Sequence, residues 1–148
     1  MLIQQLSVFL PNQKGHMARV TKILQENGID LRAVVAFDTS EYGILRLIVS
    51  DPEKALAVLL GEGFVAKISK IVAVEPEDRT GSLNELFCLL ADNDLNIDYT
   101  YCFVIQKKEM PYFALKTNDL EKTAALLHKN GYKVVNLSEI CENGGCGL

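Results

Sequence analysis

The apolar residues of this chain fall into short blocks that switch between two spacings. Leu6 to Leu10 reads as a strand that stops at Pro11, and Met17, Val20, Ile23 and Leu24 then form the stripe of one helical face. Gly28 ends that helix as a left-handed residue past its last turn. Val34 to Phe37 and Ile44 to Val49 are predicted strands, joined as a hairpin by the polar stretch Asp38 to Gly43. Asp51 caps a second helix with Pro52 at its first position. That helix is expected to bury Leu56, Leu59 and Leu60, to end near Gly63 and to lead into a short strand at Phe64 to Ile68.

The same order then begins again. Leu10-Pro11-Asn12-Gln13-Lys14-Gly15-His16-Met17 returns as Glu75-Pro76-Glu77-Asp78-Arg79-Thr80-Gly81-Ser82-Leu83, with one residue inserted before the glycine. Asn27-Gly28-Ile29-Asp30-Leu31 returns as Asn93-Asp94-Leu95-Asn96-Ile97 at an offset of 66, and Asp51-Pro52-Glu53-Lys54 returns as Asp119-Leu120-Glu121-Lys122 at an offset of 68. Strands are predicted near Ile71 to Val74, Ile97 to Ile105, Tyr112 to Lys116 and Lys133 to Leu137. The intervening helices carry Leu83, Leu86, Phe87 and Leu90, then Leu120, Ala124 and Leu127. Each copy thus has the ferredoxin-like order of strand, helix, strand, strand, helix, strand. The expected class is α+β, with two tandem βαββαβ domains over residues 1–69 and 70–140 and a flexible tail over 141–148. Each antiparallel sheet carries its helices on one face, so its other face needs water, the other repeat or a second copy of the chain.

Composition adds limits to this picture. Hydrophobic residues make up 49% of the 148 and charged residues 23%, ample apolar area for globular cores. No apolar run reaches the ~18 residues of a spanning helix and the N-terminus has no signal-peptide pattern, so a cytoplasmic protein without membrane contact is expected. Residues 1–69 hold seven basic and seven acidic side chains, residues 70–148 eight and twelve, so the net charge of −4 comes from the second copy. Nucleic acid finds no basic surplus here. Cys88, Cys102, Cys141 and Cys146 lack a disulfide-rich or metal-knuckle spacing. Most are expected to be buried thiols, with no metal and no cofactor.

The loop after the first strand of each copy resembles the ACT domain. Asp78-Arg79-Thr80-Gly81-Ser82-Leu83, followed by Leu95-Asn96-Ile97-Asp98-Tyr99, is similar to that family's polar loop, glycine, small residue and aliphatic residue, with an Asn-Ile turn into the second strand. The first copy is looser, with Asn12 in the acidic position and Asp30 in the amide position. A glycine at a strand-to-helix turn permits close approach of a ligand, and the N–H groups of the helix start favour a carboxylate.

The resemblance implies two domains joined side by side and a regulatory sensor that binds a small molecule, an amino acid above all, between them. It implies that Asn12, Gln13, Gly15, His16 and Met17 face Asn96, Ile97 and Asp98, while Thr80, Gly81, Ser82 and Leu83 face Asp30 and Leu31. A homodimer, and a partner among amino-acid metabolic enzymes or regulators, would carry the output. Met17 and Leu83 also begin apolar stripes, which makes them core candidates. Arg79 reads as a solvated side chain beside Asp78.

Rival functions are weaker. Neither histidine has a nucleophile at a telling spacing, so no catalytic residues are assigned; an amino-acid-related enzyme, or an accessory subunit of one, is the alternative. Tyr99, Tyr101 and Phe103 alternate like the stacking aromatics of an RRM, but that strand lacks the accompanying basic residue and glycine.

Overall fold

The computed structural model describes residues 2–11, 13–38, 42–105 and 111–143. In chain order the elements are β1 (Ile3–Pro11), α1 (His16–Glu26), β2 (Leu31–Asp38), β3 (Tyr42–Val49), α2 (Pro52–Gly61), β4 (Val65–Glu75), α3 (Ser82–Ala91), β5 (Ile97–Phe103), β6 (Tyr112–Thr117), α4 (Leu120–Lys129), β7 (Lys133–Val135) and α5 (Leu137–Asn143). They form two compact units, one of Gln4–Ser69 and one of Lys70–Asn143 that also takes in Leu2 and Ile3.

In the first unit the strands lie in the order β2, β3, β1, β4. β3 runs antiparallel to both neighbours, with Leu47 opposite Leu6 on one side and Val34 on the other. Alternation sends Leu6, Val8 and Leu10 of β1 and Leu45, Leu47 and Val49 of β3 to one face. There they join Val20, Ile23 and Leu24 of α1 and Ala55 and Leu59 of α2 in a single core. The second unit repeats the order with β5, β6, β4 and β7, all neighbours antiparallel. Its core joins Val72, Val74 and Leu115 to Leu86 and Leu90 of α3 and Ala124 and Leu127 of α4.

The duplication extends to individual hydrogen bonds. Lys54 Nζ donates to the Asn27 carbonyl at 2.7 Å, and Lys122 Nζ to the Asn93 carbonyl at 2.6 Å, closing the ends of α1 and α3. The Asn27 and Asn93 amides turn back onto the Ile23 and Leu89 carbonyls at 2.8 and 2.9 Å. Asp51 and Asp119 each accept from a backbone N–H of the first turn, Lys54 and Lys122, at 3.0 Å. Replacing either aspartate by alanine removes the acceptor for an otherwise unpaired helix N–H and is expected to destabilise the chain by about 1 kcal/mol. Urea midpoints of the two single variants and the double variant test this, and a double variant as stable as the parent would refute it.

Several expectations need correction. The strands predicted at Phe64 to Ile68 and Ile71 to Val74 are one strand, β4; the polar Ser69 and Lys70 lie within it rather than in a loop. A buried amide supplies the reason at Ser69, whose Oγ accepts from Gln5 Nε2 at 3.1 Å. The last strand stops at Val135, and residues expected to extend it start α5 instead. Asn136 Oδ1 accepts from the Glu139 N–H at 3.0 Å while Glu139 Oε1 accepts from the Asn136 N–H at 3.3 Å, a capping box that turns the chain from strand into helix.

Leu60, expected in the core, is half exposed because Ala55 and Leu59 take the inner face of α2. Cys88 and Cys102 are exposed and Cys141 is intermediate, not the buried thiols expected; Cys146 lies outside the described residues. Cys102 sits on the outermost strand, β5, where less of the chain covers it. No helix among the described residues is long and apolar enough to cross a membrane.

Candidate functional site

The first unit's site grows out of the turn from β1 into α1. Gly15 sits at φ +89°, ψ −10°, the left-handed region, and opens the helix with no side-chain cap. A Cβ built there would meet nothing within 4 Å, so glycine is required by the backbone angle and not by a close neighbour. On either side of this glycine, Gln13, His16 and Met17 line a cleft of ≈ 250 Å³, walled also by Leu10 and Pro11 of β1 and by Phe37 and Ile44 of the β2–β3 hairpin. Gln13 Oε1 lies 3.3 Å from His16 Nε2, so the two polar side chains of the rim position each other. Apolar walls with an uncapped helix start at one end suit a small molecule that has an anionic head and an apolar body.

The second unit shares the backbone but not the chemistry. Gly81 has φ +92°, ψ −12°, again with open space and no side-chain cap before α3. Its recess of ≈ 200 Å³ is lined by Glu75, Glu77, Arg79, Ser82, Glu85 and Tyr132. Arg79 is not simply solvated: its Nε donates to Glu77 at 2.7 Å and its terminal nitrogens grip both oxygens of Glu85, the Nη1 contact being 2.8 Å. These contacts raise the Arg79 pKa and hold the Glu85 carboxyl below its usual range. Partial burial, with the Glu85 charge nearby, pushes the Tyr132 hydroxyl up.

The expected site residues fall into separate groups within each unit. Gln13, Gly15, His16 and Met17 come together at one end of α1, and Asp30 and Leu31 lie beyond the other, beside a different recess lined by Thr21, Gln25 and Gly28. Eleven residues of helix separate them, roughly 16 Å at 1.5 Å per residue. In the same way α3 separates Thr80, Gly81, Ser82 and Leu83 from Asn96, Ile97 and Asp98.

The strand starts are tied down alike: the Asp30 N–H donates to Ser50 Oγ at 3.1 Å and the Asn96 N–H to Asn118 Oδ1 at 3.0 Å. Their side chains turn to their own strands, Asp30 to Arg32 at 3.6 Å and the Asn96 amide to Asp98 at 3.2 Å. Asn12 lies outside the described residues.

Met17 is corrected from core to rim. It is 50% exposed, because the first residue of the helical stripe reaches the cleft before α1 lies over the sheet. Leu83, by contrast, packs against its unit's core. The aromatic strand is no open platform: Phe103 is buried, with its ring centroid 5.6 Å from Tyr112 and 6.3 Å from Tyr101. No group of three or more potential metal ligands occurs among the described residues.

Residues 1–142 match the family described as the ACT domain pair. The chain is an ACT domain pair. No curated protein matches it at a significant level. Among solved structures, protein BT0572 from Bacteroides thetaiotaomicron is similar at 28% identity and a TM-score of 0.87, over 95% of this chain and 96% of that one. The regulatory subunit of aspartate kinase from Thermus thermophilus, in its ligand-free form, shares the fold at 20% identity and a TM-score of 0.60, over 86% and 92% of the two chains. Aspartokinase III of E. coli, in complex with lysine and aspartate, does so at 17% identity and 0.52, over 87% of this chain and 31% of that one. An ACT pair is a regulatory module, and its fold here is two ACT-like βαββαβ units.

Motif reading of the ACT pair missed Leu10, Phe37 and Ile44 as cleft walls and Glu77 and Glu85 as partners of Arg79. For Glu77 the signal was available, two residues before Arg79 in the same loop. For Phe37 and Ile44 it was not, because they reach the glycine loop only through strand pairing.

Proposed function

We propose that this ACT pair is a sensor that binds an amino acid with an apolar side chain at the glycine loop of its first unit. The observation that carries the reading is the cleft itself: an uncapped helix start at Gly15 beside walls of Leu10, Met17, Phe37 and Ile44. The ligand carboxylate meets the helix N–H groups, and the side chain displaces water from the apolar walls. At ≈ 250 Å³ the cleft falls just under the ~300–1,000 Å³ of pockets for drug-sized molecules, a size suited to a small metabolite. The lysine and aspartate held by the aspartokinase III of shared fold support the ligand class, not its identity. From the family resemblance we add association with a second copy or with an amino-acid metabolic enzyme as the output.

Calorimetric titration of the full chain with each of the twenty L-amino acids tests the reading. Binding is expected for one or more apolar members, and at least tenfold weaker binding for Met17→Glu, which puts a charge on the cleft rim that the ligand side chain would have to desolvate. Since Met17 is half exposed, this variant is expected to keep the parent's thermal midpoint. Silence with all twenty amino acids would overturn the proposal.

A further inference from the structure

We propose that the two glycine loops are unequal by charge, so that this chain takes one carboxylate ligand, at the first loop, while the second loop is closed to it by its own Arg79, Glu77 and Glu85. The inference rests on the amino-acid reading above. The glycines of the two loops have nearly the same backbone angles, φ +89° against +92° and ψ −10° against −12°, so the turn into the helix does not distinguish them. Side chains do. From Gln13 through Arg19 the first loop and helix start contain Lys14, His16 and Arg19 and no acidic residue. The nearby carboxylate of Glu62 faces Arg19 at 3.8 Å, and the Arg19 guanidinium also stacks over Phe64, 5.0 Å from the ring centroid. A ligand carboxylate approaching Gly15 therefore meets a neutral to basic surface.

The second copy distributes charge differently: Thr80 and Ser82 are neutral where the first copy has Lys14 and His16. Glu85 stands where the first copy has Arg19, and Arg79 where it has Gln13. Arg79 is the cation that a carboxylate would need, and its Nε and both terminal nitrogens are already engaged by Glu77 and Glu85. Lys133, a second cation at this end of the unit, lies 3.4 Å from Glu75. With Asp78 beside them, four carboxylates surround two paired cations. A ligand carboxylate would have to displace Glu85 from a two-point grip on Arg79 and then remain within a few ångströms of the displaced charge. Like charges at that distance oppose binding even in a well-solvated site.

Two measurements on the full chain test the inference. Nitrogen-15 NMR of the arginine side chains is expected to show Arg79 Nε–H, assigned through Arg79→Lys, as a dispersed and slowly exchanging resonance that collapses onto the solvated arginines in the Glu77→Gln/Glu85→Gln double variant, which removes the Nε acceptor and both terminal contacts. An Arg79 signal that already coincides with the solvated arginines in the parent overturns the closure. Titration with each of the twenty L-amino acids is expected to give one site per chain in the parent and two in the Glu77→Gln/Glu85→Gln double variant, where Arg79 is released. Two sites in the parent, or one in the double variant, overturn the inequality of the loops and leave the amino-acid reading standing. No binding to either protein overturns the amino-acid reading itself, and the NMR result still decides whether Arg79 is held.

Discussion

Leu47→Ala is expected to destabilise the chain by about 2–5 kcal/mol, the range for truncating a buried leucine whose surroundings relax only in part. Leu47 is fully buried on β3, the strand that pairs with both β1 and β2, with Leu6 opposite on one side and Val34 on the other. It belongs to the core that joins the sheet to α1 and α2, so truncation opens a void where two layers meet. Leu60→Ala is the matched control: the same atoms are removed from a half-exposed position, and a change within about 0.5 kcal/mol is expected. Urea denaturation followed by far-UV circular dichroism compares the two. Equal midpoints for Leu47→Ala and Leu60→Ala would show that the first unit does not depend on this core.

Gly15→Ala is expected to combine a loss of stability with a loss of function. At φ +89° an alanine strains the backbone, at about 1–3 kcal/mol for a residue held in such a region. No atom lies within 4 Å of the added methyl, so steric collision contributes nothing further. Relief of the strain would rotate the loop and move the N–H groups that open α1. Ligand binding at the first unit should therefore weaken at least tenfold in the same titration used for the parent. Gly81→Ala, with φ +92° and equally open space, is expected to lose stability by the same amount in thermal melts. Melting temperatures of both variants equal to the parent's would contradict the strain argument.

Much of the architecture is legible in the order of residues because it depends on neighbours close along the chain. Asp51 and Asp119 cap helices through N–H groups three residues away, and Asn27 and Asn93 close helices through carbonyls four residues back. Such contacts need only the local sequence, so they survive duplication and can be matched between the copies. The capping box of Asn136 and Glu139 was equally local and equally legible, yet Val134 and Val135 before it suggested a longer strand. At β4 the polar Ser69 suggested a break, and only the buried amide of Gln5, 64 residues distant, shows why a hydroxyl belongs inside a strand.

The candidate site divides along the same line. The sequence by itself determined the repeat, the ferredoxin-like order, the ACT resemblance and the position of both glycine loops, since each is a pattern of breakers, caps and apolar periodicity that acts over a few residues. Tertiary structure decided that Met17 lines a cleft instead of the core, that Phe37 and Ile44 wall that cleft, and that Glu85 joins Glu77 in holding Arg79. Exposure and walling depend on which strands pair and where a helix begins to cover a sheet. The two loops are alike in backbone because glycine and the helix start dictate it locally, and they differ in chemistry because the side chains around them are gathered from other elements.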